Sequence, residues 1–169
     1  MSFEIDIDNR QHALAIDEPR LQKAILVTLH QELVESAVLS ISLVDDPTIH
    51  QLNRKHLQHD YPTDVISFQL EHLVVSEQPN GTDDGKPSAG CHIEGEIVVS
   101  ADTAIRMAAE AGWSANDEVM LYVVHGLLHL CGYDDLEPDL KITMRERERS
   151  VLAELQLTPI YPQDEPADS

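Results

Sequence analysis

Ser114-Ala-Asn-Asp-Glu-Val-Met-Leu-Tyr-Val-Val-His125-Gly-Leu-Leu-His129-Leu-Cys-Gly132-Tyr-Asp134-Asp135 is the stretch around which this chain is organised. Ser114 followed three residues later by Asp117 is a helix-start signal, because the hydroxyl can accept from a backbone N–H that has no partner inside the helix. From Val119 onward apolar residues occupy most of the helical circumference. A helix over about 115–130 is therefore expected to be central and buried. Gly132 offers a left-handed, helix-ending position that lets the chain turn back. His125 and His129 stand four residues apart, so they share one helix face and their rings can converge. Convergent imidazoles begin a transition-metal site, and Asp134 or Asp135, just past the turn, can complete it.

The spacing discriminates between the two aspartates. In one large group of zinc peptidases the ligands fall at positions one, five and eleven, with Gly at eight. Here those positions are His125, His129, Asp135 and Gly132, which selects Asp135 as third ligand. Two imidazoles and one carboxylate leave a fourth position open for water, as in catalytic zinc. The peptidase base at position two is Glu, whereas this chain has Gly126, so a metal hydrolase of another kind is expected. An apolar helix can also carry two histidines satisfied by backbone carbonyls, but Gly132 and Asp135 at matching offsets favour the ligand reading. Cys131 falls on another face and reads as a small buried hydrophobe.

Outward from this helix the chain alternates strands and helices. Phe3, Ile5 and Ile7 alternate with polar residues, as in a half-buried strand. Pro19, then Leu21, Ala24, Ile25, Thr28, Leu29 and Leu33, gives helical spacing to about Glu35. Val38–Val44 reads as a strand, and Asp46-Pro47 as the N-cap and first turn of a short helix. Asp64–Leu70 and Gly95–Val99 read as strands, separated by a polar, Gly- and Pro-containing loop from His72 to Gly90. A short helix is expected over Asp102–Ala111, ended by Gly112, and a last one over Pro138–Gln156. Within that last helix, Arg145-Glu-Arg-Glu-Arg149 reads as a solvated face laced with ion pairs. His72 and His92 flank the loop and are expected to stay away from the metal. Residues 158–169 form an acidic, Pro-containing tail expected to be disordered. The order predicts one α+β domain over residues 1–157, with a mixed sheet of about four strands and helices packed on it.

Composition bounds the function. The chain has 169 residues, 11 Lys and Arg against 31 Asp and Glu, and a net charge of −20. That excess of negative charge opposes encounter with a polyanion, although six of the 31 acids lie in 77–85 and 163–169, a loop and a tail that can stand far from a site. No apolar run reaches the ~18 residues of a membrane span, and the first residues lack the basic and apolar regions of a secretory signal. Two cysteines form no disulfide framework. A reduced, cytoplasmic protein is the expectation.

The stretch Val124–Asp134 resembles the signature of the YbeY family of bacterial rRNA maturation factors. The similarity continues through Leu52-Asn53, Tyr61-Pro-Thr-Asp-Val-Ile-Ser-Phe68, Gly95–Ser100, and Met144, Glu148 and Val151-Leu152 in the last helix. The resemblance implies a zinc-dependent endoribonuclease, specific for single strands, that matures ribosomal RNA (the 16S 3′ end) and serves ribosome quality control. Its implied partners are ribosomal RNA, the small ribosomal subunit and ribosome-associated proteins, with no membrane. Two departures stand out: the family's third metal-binding histidine is Asp135 here, and the family's arginine between Leu-Asn and Pro-Thr-Asp is Leu57. A carboxylate can replace imidazole at zinc, but leucine cannot hold a phosphate oxygen.

The expected site is thus Zn²⁺ on His125, His129 and Asp135. Asp134 orients a ligand or assists proton transfer, and Arg54, Lys55, Thr63 and Asp64 contact substrate. The bound ion would activate water for attack on phosphorus. Two other readings accompany this one. The first is a non-catalytic ribosome-assembly factor with a structural metal, favoured by Leu57 and the negative charge. The second is a metalloprotease, disfavoured by Gly126.

Overall fold

A computed structural model describes residues 2–57, 64–76 and 85–161. Four strands and five α-helices follow one another as β1 (Ser2–Asn9), α1 (Glu18–Gln31), β2 (Ser36–Val44), α2 (Asp46–Leu52), β3 (Val65–Val74), β4 (Cys91–Ser100), α3 (Ala101–Ala111), α4 (Ala115–Leu130) and α5 (Pro138–Ala153). A five-residue π-helical turn, Asn53–Leu57, extends α2. The strands form one mixed sheet in the order β1-β2-β4-β3, with β1, β2 and β4 parallel and β3 antiparallel to β4. The architecture is the expected α+β domain, with the helix that carries His125 and His129 at its centre.

The two faces of the sheet have different chemistry, and this asymmetry positions the site. One face presents Leu39, Ile41, Leu43, Ile93, Ile97 and Val99, all buried in the main core with α1, α4 and α5. Along β4 the other face presents His92, Glu94, Glu96 and Val98, in register with Ser36, Val38, Ser40 and Ser42 of β2. Among the described residues, cover on that second face lies at one end, where α2 seats Ile49 and Leu52 on Val44, Ile66, Val98 and Phe68.

Helix α4 is buried over eleven of its positions, from Glu118 to Leu130. Two glycines let it lie this close to the sheet. A Cβ on Gly95 would stand 2.7 Å from Leu130 Cδ1 and 2.9 Å from the Phe68 carbonyl oxygen. A Cβ on Gly126 would stand 3.0 Å from Ile97 Cγ2 and 3.2 Å from Val65 Cγ2. The Ser114 hydroxyl accepts from Asp117 N, as the capping signal predicts. The helix closes at Cys131, after which Gly132 takes φ +107°.

Several boundaries depart from the sequence expectation. Helix α1 ends at Gln31 rather than near Glu35, because Leu33 takes a left-handed φ of +61° and reverses the chain. The N-cap of α2 is Asp45, whose carboxylate accepts from Thr48 N. Asp46 lies inside the first turn, where its carboxylate accepts from Ser100, Thr103 and Arg106 and ties α2 to α3. Strand β3 runs on to Val74, into the stretch from His72 expected to be loop, and β4 begins at Cys91, four residues before the expected Gly95 and directly after that stretch. Its end at 85–90 is bound down through Ser88 Oγ to the Glu32 carbonyl and Gly90 N to the Leu33 carbonyl, while residues 77–84 lie outside the described residues. The expected tail begins with packed structure, since Tyr161 is buried and its hydroxyl donates to Glu148 Oε1 at 2.8 Å.

Candidate metal centre

Helix α4 delivers His125 and His129 to one face, with the ring centroids 4.6 Å apart and the planes nearly perpendicular. Their Nε2 atoms lie 3.1 Å from each other. The turn after Gly132 brings Asp135 over this pair, with Oδ2 at 3.4 Å from His125 Nε2 and Oδ1 at 3.6 Å from His129 Nε2. One donor atom from each of the three residues lies within 4.8 Å of the others. The two histidines open onto a cleft of about 240 Å³ lined by Asp64, Val65, Ile66, Ser67, His125, Gly126 and His129.

The other ring nitrogens show why this group fits a metal ion. His125 Nδ1–H donates to Glu148 Oε2 at 2.6 Å, and His129 Nδ1–H donates to the Tyr133 carbonyl at 3.1 Å. A carboxylate and a carbonyl only accept, so both Nδ1 atoms carry hydrogens and both Nε2 atoms can offer lone pairs toward Asp135. Without an ion, a proton takes its place. Burial opposes charge on His125, but the hydrogen bonds it donates to Asp135 and Glu148 prevail and raise its pKa to about 9. Burial and the neighbouring His125 charge push His129 down. The hydrogen bond from His125 holds Asp135 at about 2. One cation between two imidazoles and a carboxylate is what this donor set demands, and a divalent ion meets that demand with two nitrogens and one oxygen.

Glu148 is the site residue that sequence reasoning placed wrongly, on a solvated face. Its side chain is fully buried and accepts from His125, Arg145 and Tyr161. Burial works against its charge, yet the His125 and Arg145 partners hold its pKa below the ordinary carboxylate range. The signal was available: Glu148 lies in helical register with Met144, Val151 and Leu152, the residues α5 buries. A second buried carboxylate, Glu32, accepts from Tyr133 Oη at 2.6 Å and Arg147 Nε at 2.9 Å. It thereby fixes the residue whose carbonyl holds His129.

The remaining expectations sort by position. Asp134 is exposed, and its Oδ1 accepts from Asp135 N at 2.7 Å and Leu136 N at 3.2 Å. It shapes the turn that presents Asp135, while Glu148 and the Tyr133 carbonyl occupy the histidine Nδ1 atoms. Asp64 stands at the cleft and also accepts from Val65 N. Arg54 and Lys55 are exposed on the π-helical turn. Thr63 and the Leu57 side chain lie outside the described residues. His72 faces the Leu130 and Pro87 carbonyls, and His92 faces Ser36 and Glu94, so neither joins the cluster. Gly126, where a peptidase carries its base, is pressed against Ile97 and Val65.

Comparison with known proteins assigns the lineage. Residues 6–156 match the family described as Endoribonuclease YbeY. The Endoribonuclease YbeY of Salinibacter ruber is 38% identical over 152 residues, covering 90% of this chain and 89% of that one. That of Clavibacter michiganensis is 37% identical over 155 residues, covering 90% and 94%. That of Rhodopirellula baltica is 40% identical over 130 residues, covering 76% of this chain but 59% of the relative, so the match spans less than two thirds of that longer protein. Among solved structures, that of TM1509 from Thermotoga maritima superposes with a TM-score of 0.54 at 20% identity, covering 96% and 99% of the two chains, and shares the fold. With the match running from β1 through α5 and the histidine pair on its central helix, the chain belongs to the YbeY family.

Proposed function

We propose that this protein is a metal-dependent endoribonuclease that cuts single-stranded segments of ribosomal RNA, at the 16S 3′ end, on or near the small ribosomal subunit and in the cytoplasm. The observation that carries this reading is the convergence of His125, His129 and Asp135 on one point at the wall of an open cleft. The names of its relatives supply the substrate class. No described helix is long and apolar enough to cross a membrane, and both cysteines are free, as suits a reduced compartment.

His125, His129 and Asp135 would hold Zn²⁺ or a similar divalent transition ion, which supplies Lewis acidity toward an attacking water and a phosphoryl oxygen. The protein's own groups do the rest. Glu148 and the Tyr133 carbonyl keep both Nδ1 atoms protonated and the rings aimed. Asp134 holds the turn that carries Asp135. Asp64 borders the cleft, and Thr63, Asp64, Arg54 and Lys55 are assigned to substrate contact. Arg145, bonded to Glu148, adds positive potential that Asp135 senses, a partial substitute for the arginine that Leu57 replaces. Asp135→Ala should lose both bound metal and RNA cleavage while keeping its fold, and retention of both would remove Asp135 from the ligand set.

The non-catalytic assembly factor is the second reading, favoured by Leu57 and by the net charge of −20. It predicts small-subunit association that survives His129→Ala with no cleavage by the wild type. The metalloprotease reading has no support at Gly126, where a side chain would meet the sheet.

A further inference from the structure

A second set of metal-type donors lies on the opposite face of the sheet. His92 and Glu94 are two residues apart on β4 and therefore share a face, and Glu71 of β3 is the register partner of Glu94. His92 Nε2 is 3.0 Å from Glu94 Oε2 and 4.0 Å from Glu71 Oε2. One donor atom of each residue lies within 4.8 Å of the others. His92 Nδ1 is 2.6 Å from Ser36 Oγ on β2. Nε2 thus faces the two carboxylates and Nδ1 the Ser36 hydroxyl; an ion between the carboxylates would take the Nε2 lone pair and leave Nδ1–H to donate to Ser36 Oγ, which is how a ligating histidine is held.

A β-bulge creates this arrangement. The β3–β4 register shifts between Gln69 and Glu71. Without the extra residue, Leu70 would follow Gln69 opposite Glu94, and Glu71 would pair with Ile93 on the helix-covered face. The bulge instead turns Glu71 onto the open face, the use of a bulge to re-aim a side chain. The result is two carboxylates directly opposite each other on neighbouring strands, a destabilising pair unless something positive lies between them. All three side chains reach solvent, at 46% for Glu71, 22% for His92 and 33% for Glu94, so an ion has access.

We propose that Glu71, His92 and Glu94 form a second divalent-cation site, separate from the His125–His129–Asp135 centre and on the other side of the sheet. One imidazole and two carboxylates suit a first-row transition ion such as Mn²⁺, Co²⁺ or Zn²⁺. The ion neutralises the opposed carboxylates and clamps the far half of edge strand β3 to β4, with Ser36 tying the site to β2. Its ligands and its role are independent of RNA cleavage.

The test is Co²⁺ titration of the chelator-stripped full-length protein, followed by calorimetry and visible absorption. The wild type should bind two ions. His129→Ala should lose the ion at the α4 centre and keep the one on the sheet. His92→Ala and the milder Glu71→Gln should keep the ion at α4 and either lose the other or bind it at least tenfold more weakly, with unchanged circular dichroism. If His92→Ala and Glu71→Gln both bind Co²⁺ with the wild-type stoichiometry and affinities, whether for one ion or two, the site does not exist.

Discussion

At the scale of single residues, the protonation of His125 gives a readout that needs no substrate. Its pKa stands at about 9 against an ordinary 6.5. A base raised on folding adds stability that is complete below the unfolded value and vanishes as pH climbs through the folded one. The chelator-treated protein should therefore lose thermal stability between about pH 6.5 and pH 9, a window in which His129, shifted downward, is already neutral. Zinc should flatten the profile, because the ion replaces the proton; melting curves across that range check both points. Glu148→Gln should weaken metal binding by ~10–100-fold, the usual cost of losing the partner of a ligating histidine, measured by competition with a chromophoric chelator. The three candidate ligands were legible because helix periodicity and one glycine turn fix their spacing. Glu148 was not, because charge in a helix reads as solvent-facing, and only its register with Met144 and Val151 gives it away.

Among elements, α4 carries the account, since its cap and its two glycine contacts decide where the histidines stand. Ser114→Ala removes the acceptor for Asp117 N and should cost ~1 kcal/mol in urea unfolding. Gly95→Ala puts a methyl against Leu130 and the Phe68 carbonyl. It should cost ~1–3 kcal/mol as an overpacked contact, and it should lower metal affinity by displacing the helix. Gly126→Glu, which restores the peptidase base, should destabilise the fold and yield no peptide cleavage. Among the described residues, the identity of each strand and α-helix was legible from hydrophobic periodicity and from cap and turn residues, and the limits of α4 were legible from Ser114 and the Gly132 turn. Other limits were less so. Asp45 and Asp46 are equivalent as letters, and only the tertiary bonds from Ser100, Thr103 and Arg106 draw Asp46 away from capping. The outer halves of β3 and β4 carry Glu71, His72, His92 and Glu94, so the polar composition ends the expected strands at Leu70 and Gly95 although the ladder continues beyond them.

Over the whole molecule, charge governs encounter with substrate. A chain of net charge −20 repels a polyanion, and salt shortens that repulsion, from a Debye length of ~30 Å at 0.01 M to ~8 Å at 0.15 M. The kcat/KM for a single-stranded RNA should therefore rise over this range, opposite to a basic nuclease; a steep fall would place a local basic surface at the cleft. The fold class and the central histidine helix were legible at this scale because both follow from periodicity along the chain. The burial of Tyr161 was not, because Pro- and acid-rich composition does not reveal a hydroxyl that reaches Glu148. The central claim is that one metal centre on α4 cuts RNA. Its most direct test is the cleavage rate of a single-stranded RNA by purified protein before chelation, after chelation and after restoring Zn²⁺, beside His129→Ala. Cleavage that disappears with chelator, returns with Zn²⁺ and is absent in the variant is the predicted result. Cleavage unchanged by chelator or by the substitution, or none from metal-loaded wild type, would contradict it.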